Sequence, residues 1–376
     1  MVQSTGRKRF LSVEQANGLK MISPTATYAT LLLAVPLVLI FAYSFMTDSY
    51  LTILGNFQWC NYYGACASFK TVDGVLTPLQ PYQGVWSDPL AQTLLMRSLY
   101  VSLSVTAATV LLSFPVAYHI SFHVDASKKS IWLFLITIPF WTSYLIRVFL
   151  WLAILGYNGV VNTALLTLGL ISEPLTFIVY SANAVVITLA HAYAPFAILP
   201  IFVALEKIDR SLLEAGRDLG ESPFMTFLRV TLPLAIPGVI SAIMIVFIPT
   251  VGDYVTPALI GGPEGKMIAN LVQLEYLKLD NYPLGSATAI SSMLMVAVTL
   301  ISGLALSRLF ARVYGNLSGS VPWAIAVIGS LLVIVGFAAA CWAAGWLIGP
   351  FVAKFLCVAI GHIGLLFVLK LTEAKR

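Results

Sequence analysis

Long apolar stretches alternate with polar segments along the whole chain. About 20 consecutive apolar residues are enough to cross the hydrocarbon of a bilayer as a helix, and these stretches reach that length. We therefore predict eight membrane-spanning helices, over residues 28–46, 94–122, 131–155, 176–204, 234–259, 284–307, 323–347 and 351–369. The pattern is typical of an all-α polytopic membrane protein.

The composition of the chain supports this class and excludes a soluble one. Of the 376 residues, 59% are hydrophobic and only 10% are charged, whereas a soluble domain carries about 25% charged residues. The formal net charge of +5 does not indicate a nucleic-acid partner, because the basic residues are dispersed over loops and termini. The partner that this composition requires is the lipid bilayer.

The same pattern of apolar and polar segments divides the chain into three parts. Residues 1–23 form a polar N-terminal segment, residues 24–310 hold six spans, and residues 311–376 hold an extra pair of spans with a short tail. A long polar insert, residues 48–93, separates the first two spans. We expect the first span to stay uncleaved, because its polar lead is long and no clear small-residue cleavage site follows it.

The distribution of Lys and Arg predicts the orientation in the membrane. With the N-terminus inside, fifteen of the 21 basic residues lie in inside segments and three in outside loops. Such a bias marks the cytoplasmic side, so we expect both termini in the cytoplasm. Residues 205–233, the most charged long segment of the chain, then also face the cytoplasm. We call this segment the charged loop.

The sequence of the charged loop predicts two short helices that meet at a glycine. Ser211 with Glu214 three residues later is the pattern of a capping box, so a helix should begin there. Gly220 is expected to end that helix in a left-handed conformation. Ser222-Pro223 is expected to begin the second helix, and Leu232-Pro233 to end it.

At these residues the chain resembles a known family. Glu214-Ala215-Gly216, then Gly220, then Leu232-Pro233 resemble the EAA loop of ABC importer permeases, although Gly216 stands where that family usually has a second alanine. In that family the loop sits in a cleft of a cytoplasmic ATPase subunit. The resemblance, together with an apolar face that we expect to be exposed, assigns the coupling role to Glu214, Ala215, Gly216, Asp218, Gly220, Phe224 and Phe227.

Further segments resemble the spermidine/putrescine permease subfamily. They are residues 139–147 (PFWTSYLIR), 213–220 (LEAGRDLG) and 249–257 (PTVGDYVTP), the last followed by Gly261-Gly262-Pro263, and the similarity covers residues 25–310. The resemblance implies the six-span transmembrane domain of a type I ABC importer in a bacterial inner membrane. The long insert and the extra pair of spans depart from the family pattern.

The resemblance also implies partners and a mechanism. The expected partners are two copies of a cytoplasmic ATPase, a second homologous permease and a periplasmic substrate-binding protein. ATP and Mg would be bound by the ATPase, and this chain would need no cofactor of its own. We expect transport by alternating access, driven by movement of the charged loop.

Charged and aromatic residues at membrane depth are the candidates for a substrate pathway. A charged side chain in the hydrocarbon costs about 2.5–3.5 kcal/mol, so it is a functional candidate. Asp253 and Arg147 either form an ion pair across two spans, or Asp253 alone faces a cationic substrate while Arg147 has a structural role. Aromatic rings bind amines through cation–π contacts or simply pack, and a lone histidine in a span is more often a satisfied hydrogen-bonding group than a ligand or proton relay. The candidates are Asp253, Tyr254, Trp141, Tyr144, Arg147 and His191.

Two other pairs of residues bear on metal binding and on covalent cross-linking. His119 and His123 are spaced to lie on one helix face, but no Cys or third His accompanies them, so we predict no metal site. Cys60 and Cys66 both fall in the first outside loop. An oxidising compartment would allow a disulfide between them, and free thiols are the alternative.

No catalytic motif is present in the sequence. It has no Walker-type phosphate loop, no nucleophile elbow and no HExxH pattern, so we expect ATP hydrolysis in a partner chain. Alternatives to a polyamine importer are an importer of another small solute, such as an amino-acid derivative or an opine, a gradient-driven secondary transporter and a membrane scaffold. A secondary transporter would need buried carboxylates in several spans and usually a repeat, and only Asp253 qualifies.

Overall fold

A computed structural model describes residues 13–46, 58–66, 69–72, 75–78, 81–175, 178 and 180–316. The first twelve residues of the predicted N-terminal segment lie outside the described residues. The same holds for residues 317–376, which include both spans of the predicted C-terminal pair.

The described part of the chain is mostly helical. Its helices are α1 Val13–Tyr43, α2 Pro89–His123, α3 Ala126–Thr137, α4 Tyr144–Leu155, α5 Val160–Thr167, α6 Ala182–Glu206, α7 Arg210–Asp218, α8 Pro223–Thr226, α9 Leu232–Val251, α10 Val255–Ile260, α11 Gly262–Gly265, α12 Ile268–Leu277 and α13 Tyr282–Asn316. A 3₁₀ turn, Ile138–Trp141, joins α3 to α4, and a π turn, Phe227–Thr231, joins α8 to α9.

Six segments of the described residues are long and apolar enough to cross a membrane. They are Met21–Tyr43, Pro89–His123, Tyr144–Thr167, Ala182–Glu206, Pro223–Val251 and Tyr282–Gly303. The third of these contains α4, α5 and the turn between them. The prediction of a helical polytopic membrane domain with six spans is confirmed for this part of the chain.

The predicted third span is not one helix. The chain leaves α3 after Thr137, makes the 3₁₀ turn and is extended at Thr142 and Ser143 before α4 begins. Pro139, in the first turn of the 3₁₀ segment, explains the break, because its nitrogen carries no proton for an α-helical hydrogen bond. Hydropathy is continuous across residues 131–155, so it gave no sign of this break.

The predicted fifth span also differs at both ends. Pro233 does not end a helix but lies in the first turn of α9, directly after the π turn. A π turn pairs residue i with i+5, and Leu232 N–H indeed donates to the carbonyl of Phe227. This wider turn accommodates the missing N–H of Pro233. At the other end α9 stops at Val251, and a short turn leads to α10.

The insert between the first two spans contains strands that the sequence analysis did not predict. Strands β1 Ala65–Cys66 and β4 Tyr82–Gln83 pair antiparallel, and β2 Phe69–Val72 pairs antiparallel with β3 Val75–Pro78. In the structure a disulfide joins Cys60 and Cys66, whose Cα atoms are 5.2 Å apart.

Side-chain hydrogen bonds fix the insert to the first and the sixth span. Tyr62 OH donates to Ser44 Oγ at 2.8 Å, just after α1. Trp86 Nε1 donates to Ser291 Oγ of α13 at 3.1 Å. The insert is therefore bonded to the end of the first span and to the sixth span, and it is not a free appendage.

The main core lies where α2, α6 and α9 pack together. Gly238 of α9 lies so close to α6 that a Cβ atom there would be 2.6 Å from the carbonyl oxygen of Pro200. Small residues allow helices in membranes to approach closely and so gain dispersion contacts. The fifth and fourth spans are thus held in tight contact next to the charged loop.

Candidate functional site

The first helix of the charged loop begins two residues earlier than predicted. Asp209 is its cap, and the carboxylate accepts a hydrogen bond from Ser211 N at 3.0 Å. This bond lowers the pKa of Asp209. The predicted capping box of Ser211 and Glu214 is therefore wrong, because the charged Asp209 competes for the same helix end and an acid is favoured there.

The turn between α7 and α8 has the predicted conformation. Gly220 has a φ of +82°, which is the left-handed region expected of it. Its N–H donates to the carbonyl of Arg217 at 2.8 Å, and Glu221 N–H donates to the carbonyl of Gly216 at 3.1 Å. Ser222 caps α8 through a 3.3 Å bond from Met225 N. The loop is therefore a closed, hydrogen-bonded turn.

Gly216 is the point where the two helices of the charged loop meet. It is buried, and a Cβ atom there would lie 3.3 Å from Cγ2 and 3.4 Å from Oγ1 of Thr226. A glycine instead of the family's usual alanine gives α7 and α8 this short separation. Glu214, Ala215 and Asp218 are exposed beside it.

The two phenylalanines of the loop face different surroundings. Phe224 is 68% exposed. Phe227 is not: its ring packs edge-on against Phe114 and Tyr118 of α2, with centroids 5.8 and 5.7 Å away. The expectation that both rings lie on one free face is therefore wrong for Phe227. Leu219, which the sequence analysis did not select, is 85% exposed and adds apolar surface next to Gly220.

Asp253 occupies the turn where α9 ends. Its side chain is buried, and Oδ1 accepts hydrogen bonds from the backbone N–H of Val255 at 3.0 Å and of Thr256 at 3.4 Å. Its Oδ2 accepts from Tyr144 OH at 2.6 Å. Asp253 therefore caps α10 and at the same time links the fifth span to α4.

Tyr144 completes a small closed cluster. Its hydroxyl also bonds to Oγ1 of Thr256, a fully buried residue that the sequence analysis did not select. We call Tyr144, Asp253 and Thr256 the Asp253 cluster. It holds the third and fifth spans together at the end of α9 that is distant from the charged loop.

Arg147 does not pair with Asp253. Among the described residues the ion pairs are Lys128–Asp125, Lys129–Glu206 and Arg229–Glu221. Arg147 instead donates from Nη1 to the carbonyl of Ala192 in α6, at 3.4 Å. Its guanidinium carbon lies 5.8 Å from the centre of the Tyr144 ring. Its Nε is buried and has no hydrogen-bond partner within the described part of the chain.

The remaining pathway candidates fall into two groups. His191 accepts a hydrogen bond from Trp151 Nε1 at 3.2 Å, which is the structural role given above as the more frequent one. Trp141 and Tyr254 lie outside the Asp253 cluster and are 79% and 44% exposed. Tyr254 lines an open groove of about 680 Å³ between α9, α12 and α13, together with Gln273.

One buried acid lies outside the spans. Glu275 of α12 is buried, and burial, followed by the nearby Asp88, raises its pKa to about 7. Its Oε2 has no hydrogen-bond partner among the described residues.

His119 and His123 stack, with ring centroids 5.5 Å apart. Within the described ranges no three His, Cys, Asp or Glu side chains are arranged to hold a metal.

A comparison with known protein families identifies the family of this chain. The family described as "Binding-protein-dependent transport system inner membrane component" matches residues 24–316. The chain belongs to this family. It is therefore the translocation component of such a transport system, and it crosses the inner membrane several times.

Named relatives are similar over most of their length. The spermidine/putrescine transport system permease protein PotB of Escherichia coli (strain K12) is 35% identical to this permease over 225 residues, which are 60% of this chain and 81% of the relative. The protein of the same name from Haemophilus influenzae (strain ATCC 51907 / DSM 11121 / KW20 / Rd) is 33% identical over 266 residues, 71% of this chain and 85% of the relative.

A solved structure shares the fold. A chain of a bacterial ABC transporter involved in the import of the acidic polysaccharide alginate superposes with a TM-score of 0.55. The match covers 78% of this chain and 96% of that one, at 17% sequence identity. The predicted architecture of an ABC importer transmembrane domain is thereby confirmed.

Proposed function

We propose that this permease carries spermidine, putrescine or related organic cations into the cell as part of an ATP-driven complex. The observation that carries the proposal is the 35% identity to the Escherichia coli spermidine/putrescine permease over 81% of its length. The resemblance of residues 139–147, 213–220 and 249–257 to that subfamily supports the same substrate class.

The complex has four kinds of component in this proposal. Two copies of a cytoplasmic ATPase bind ATP and Mg, a second homologous permease completes the membrane domain, and a periplasmic protein delivers the substrate. Both termini of this permease lie in the cytoplasm, as the distribution of Lys and Arg indicates. A solved relative in fold is an alginate transporter in complex with a substrate-bound periplasmic protein, which is consistent with such an arrangement.

The charged loop is the contact with the ATPase in this proposal. Leu219 and Phe224 are exposed apolar side chains, and exposed Glu214 and Asp218 surround them with charge. Exposed apolar surface with a polar rim is typical of a protein–protein contact. The contact at Gly216 and the closed turn at Gly220 make the loop stiff enough to move as a unit.

Movement of the loop reaches the spans by two routes in this mechanism. The helix continues from α8 through the π turn into α9, so a rotation of α8 turns the fifth span. Phe227 contacts α2, so the second span is displaced as well. These movements open the membrane domain alternately to its two sides.

The Asp253 cluster has an electrostatic role in the same proposal. The carboxyl group of Asp253 accepts three hydrogen bonds, from the N–H groups of Val255 and Thr256 and from the hydroxyl of Tyr144. In this proposal the acidic side chain attracts a polyamine towards the end of α9. The exposed rings of Tyr254 and Trp141 offer aromatic faces to an ammonium group.

The experiment that tests the function is purification of the permease from its native membrane in mild detergent, followed by reconstitution and uptake measurement. We expect a Walker-type ATPase and a second permease to co-purify, and ATP to drive uptake of labelled spermidine. Glu214→Lys should release the ATPase, whereas Asp125→Lys, a cytoplasmic-side control outside the loop, should retain it. Recovery of the permease alone would contradict the complex, and ATP-driven uptake of another solute but not of spermidine would contradict the substrate.

A further inference from the structure

A polar cluster joins four helices next to the charged loop. Lys129 of α3 donates from Nζ to both carboxylate oxygens of Glu206, at 2.7 and 2.9 Å. The same Nζ donates to the carbonyl of Ser121 in α2 at 2.9 Å. Glu206 is the last residue of α6, and the charged loop follows it directly. We call Ser121, Lys129, Glu206 and Arg210 the ion-pair node.

Arg210 brings the first helix of the charged loop into this node. Its Nη2 donates to the carbonyl of Ser121 at 3.3 Å, so Arg210 and Lys129 share one acceptor. The hydroxyl of Ser121 donates to Glu206 Oε2 at 3.2 Å. The node therefore connects α2, α3, α6 and α7 through four side chains and one backbone carbonyl.

Lys129 is the main buried anchor of α3. In this helix, which is described throughout, Lys129 is the one buried residue, at 9% exposure. Several apolar residues of the same helix are exposed, among them Trp132, Phe134 and Leu135. The pair is buried on one side only, because the side chain of Lys129 is 11% exposed and that of Glu206 is 43% exposed. Removal of Glu206 would leave the buried ammonium group of Lys129 without its acidic partner. The position of α3 thus depends on a directional polar contact.

The neighbouring lysine has none of these properties. The side chain of Lys128 is 68% exposed, and its Nζ is 3.9 Å from the carboxylate of Asp125. An exposed pair of this kind contributes little to stability. By sequence alone Lys128 and Lys129 are equivalent, since they are adjacent basic residues of the same predicted inside loop. In the structure they differ in burial and in bonding.

We propose that Lys129 and Glu206 are positioning residues that couple movement of α7 to α3. The proposal rests on the proposed function, in which an ATPase displaces the charged loop. When α7 moves, Arg210 pulls on the carbonyl of Ser121 and the adjacent Glu206 moves with it. Lys129 is bonded to both, so α3 follows. This route reaches α3, the helix that leads through the 3₁₀ turn into the third span.

The test compares Lys129→Met with Lys128→Met in the reconstituted complex. We expect Lys129→Met to reduce spermidine uptake per ATP hydrolysed about tenfold, which is a typical size for coupling between two sites. ATP hydrolysis and co-purification of the ATPase should stay near normal. Lys128→Met should leave all three unchanged. Lys129→Arg, which keeps the charge, should recover most of the uptake per ATP.

Hydrogen exchange gives a second readout that needs no substrate. With ATP and vanadate, the wild-type complex should show changed exchange in α7 and in α3. Lys129→Met should keep the change in α7 and lose it in α3. An equal change in α3 with and without Lys129, or a parallel fall of uptake and ATP hydrolysis, would overturn the coupling role. A wild-type complex whose α7 does not respond to ATP would instead overturn the proposed function, and the coupling role with it.

Discussion

The fifth span is interrupted twice, and the two interruptions are built differently. Near the charged loop the helix passes through the π turn, and the backbone hydrogen bonds continue from α8 into α9. At its far end the helix stops at Val251, and Asp253 caps the next short helix. A continuous helix transmits rotation, whereas a capped break fixes a local geometry. One end of the span is therefore suited to receiving movement and the other to holding a charge in place.

The largest effect is expected from breaking the turn on the loop side. Gly220→Val should abolish uptake while membrane insertion stays normal, because a β-branched residue at φ +82° is strained by about 1–3 kcal/mol. A Cβ atom at Gly220 would meet no heavy atom within 4 Å, so the effect is one of backbone conformation alone. Gly220→Asn, which tolerates the left-handed region, should retain uptake. Vesicle uptake at matched protein levels measures this, and normal uptake by the Val variant would contradict it.

At the far end, the charge of Asp253 can be separated from its hydrogen bond to Tyr144. Asp253→Asn should raise the KM for spermidine at least tenfold, since a hydrogen bond to a charged group contributes about 1.5–3 kcal/mol and an amide offers no charge. Tyr144→Phe removes the 2.6 Å bond but keeps the carboxylate, so its effect should be clearly smaller. Equal KM values for the two variants would show that Asp253 acts through geometry and not through charge.

The two phenylalanines of the charged loop should have different effects when they are replaced by alanine. Phe224→Ala should weaken co-purification of the ATPase and leave the thermal stability of the permease unchanged, because its ring is exposed. Phe227→Ala should leave co-purification intact and destabilise the permease by about 2 kcal/mol, because it leaves a gap against Phe114 and Tyr118. Thermal unfolding in detergent and pull-down distinguish the two. The reverse pattern would place Phe227, and not Phe224, at the ATPase.

The smallest effect is expected outside the spans, at Glu275. Its pKa is raised from 4.5 to about 7, so the folded permease keeps a proton that the unfolded chain loses between these values. The free energy of unfolding should therefore fall as the pH rises through that window, and it should be lowest above pH 7. Glu275→Gln should weaken this dependence in thermal unfolding from pH 5 to 8. Glu264→Gln, at an exposed acid, is the control, and an unchanged pH profile in Glu275→Gln would contradict the assignment.

Features set by local chemistry could be predicted from the sequence. Hydropathy predicted six spans in the described part of the chain, since the cost of burying polar backbone and side chains in lipid depends mainly on composition, but it displaced the bounds of the third and the fifth. Gly220 and Ser222 were predicted with their conformations, because a left-handed residue and a helix cap are properties of a few neighbouring residues. The cap at Asp209 was missed because two suitable caps compete within three residues.

Features set by distant contacts could not be predicted. The ring of Phe227 turns towards α2, and Arg147 towards the carbonyl of Ala192, because of packing between spans that are far apart in sequence. The same is true of Lys129, whose partner Glu206 is 77 positions away. The break at Asp253 was hidden for another reason: the residues around it are apolar enough to continue a span, so hydropathy gave no sign that α9 ends at Val251.

The π turn also bears on how the length of this chain can change in evolution. It holds one residue more than an α-helical turn would need, between α8 and α9. Deletion of one residue from Phe227–Thr231 would leave a regular α-helical turn with the loop facing almost as before, whereas deletion of one residue from the regular part of α9 would rotate the loop by about 100° relative to the span. We therefore expect permeases that work with the same kind of ATPase to differ in length by one residue at this turn but not within α9.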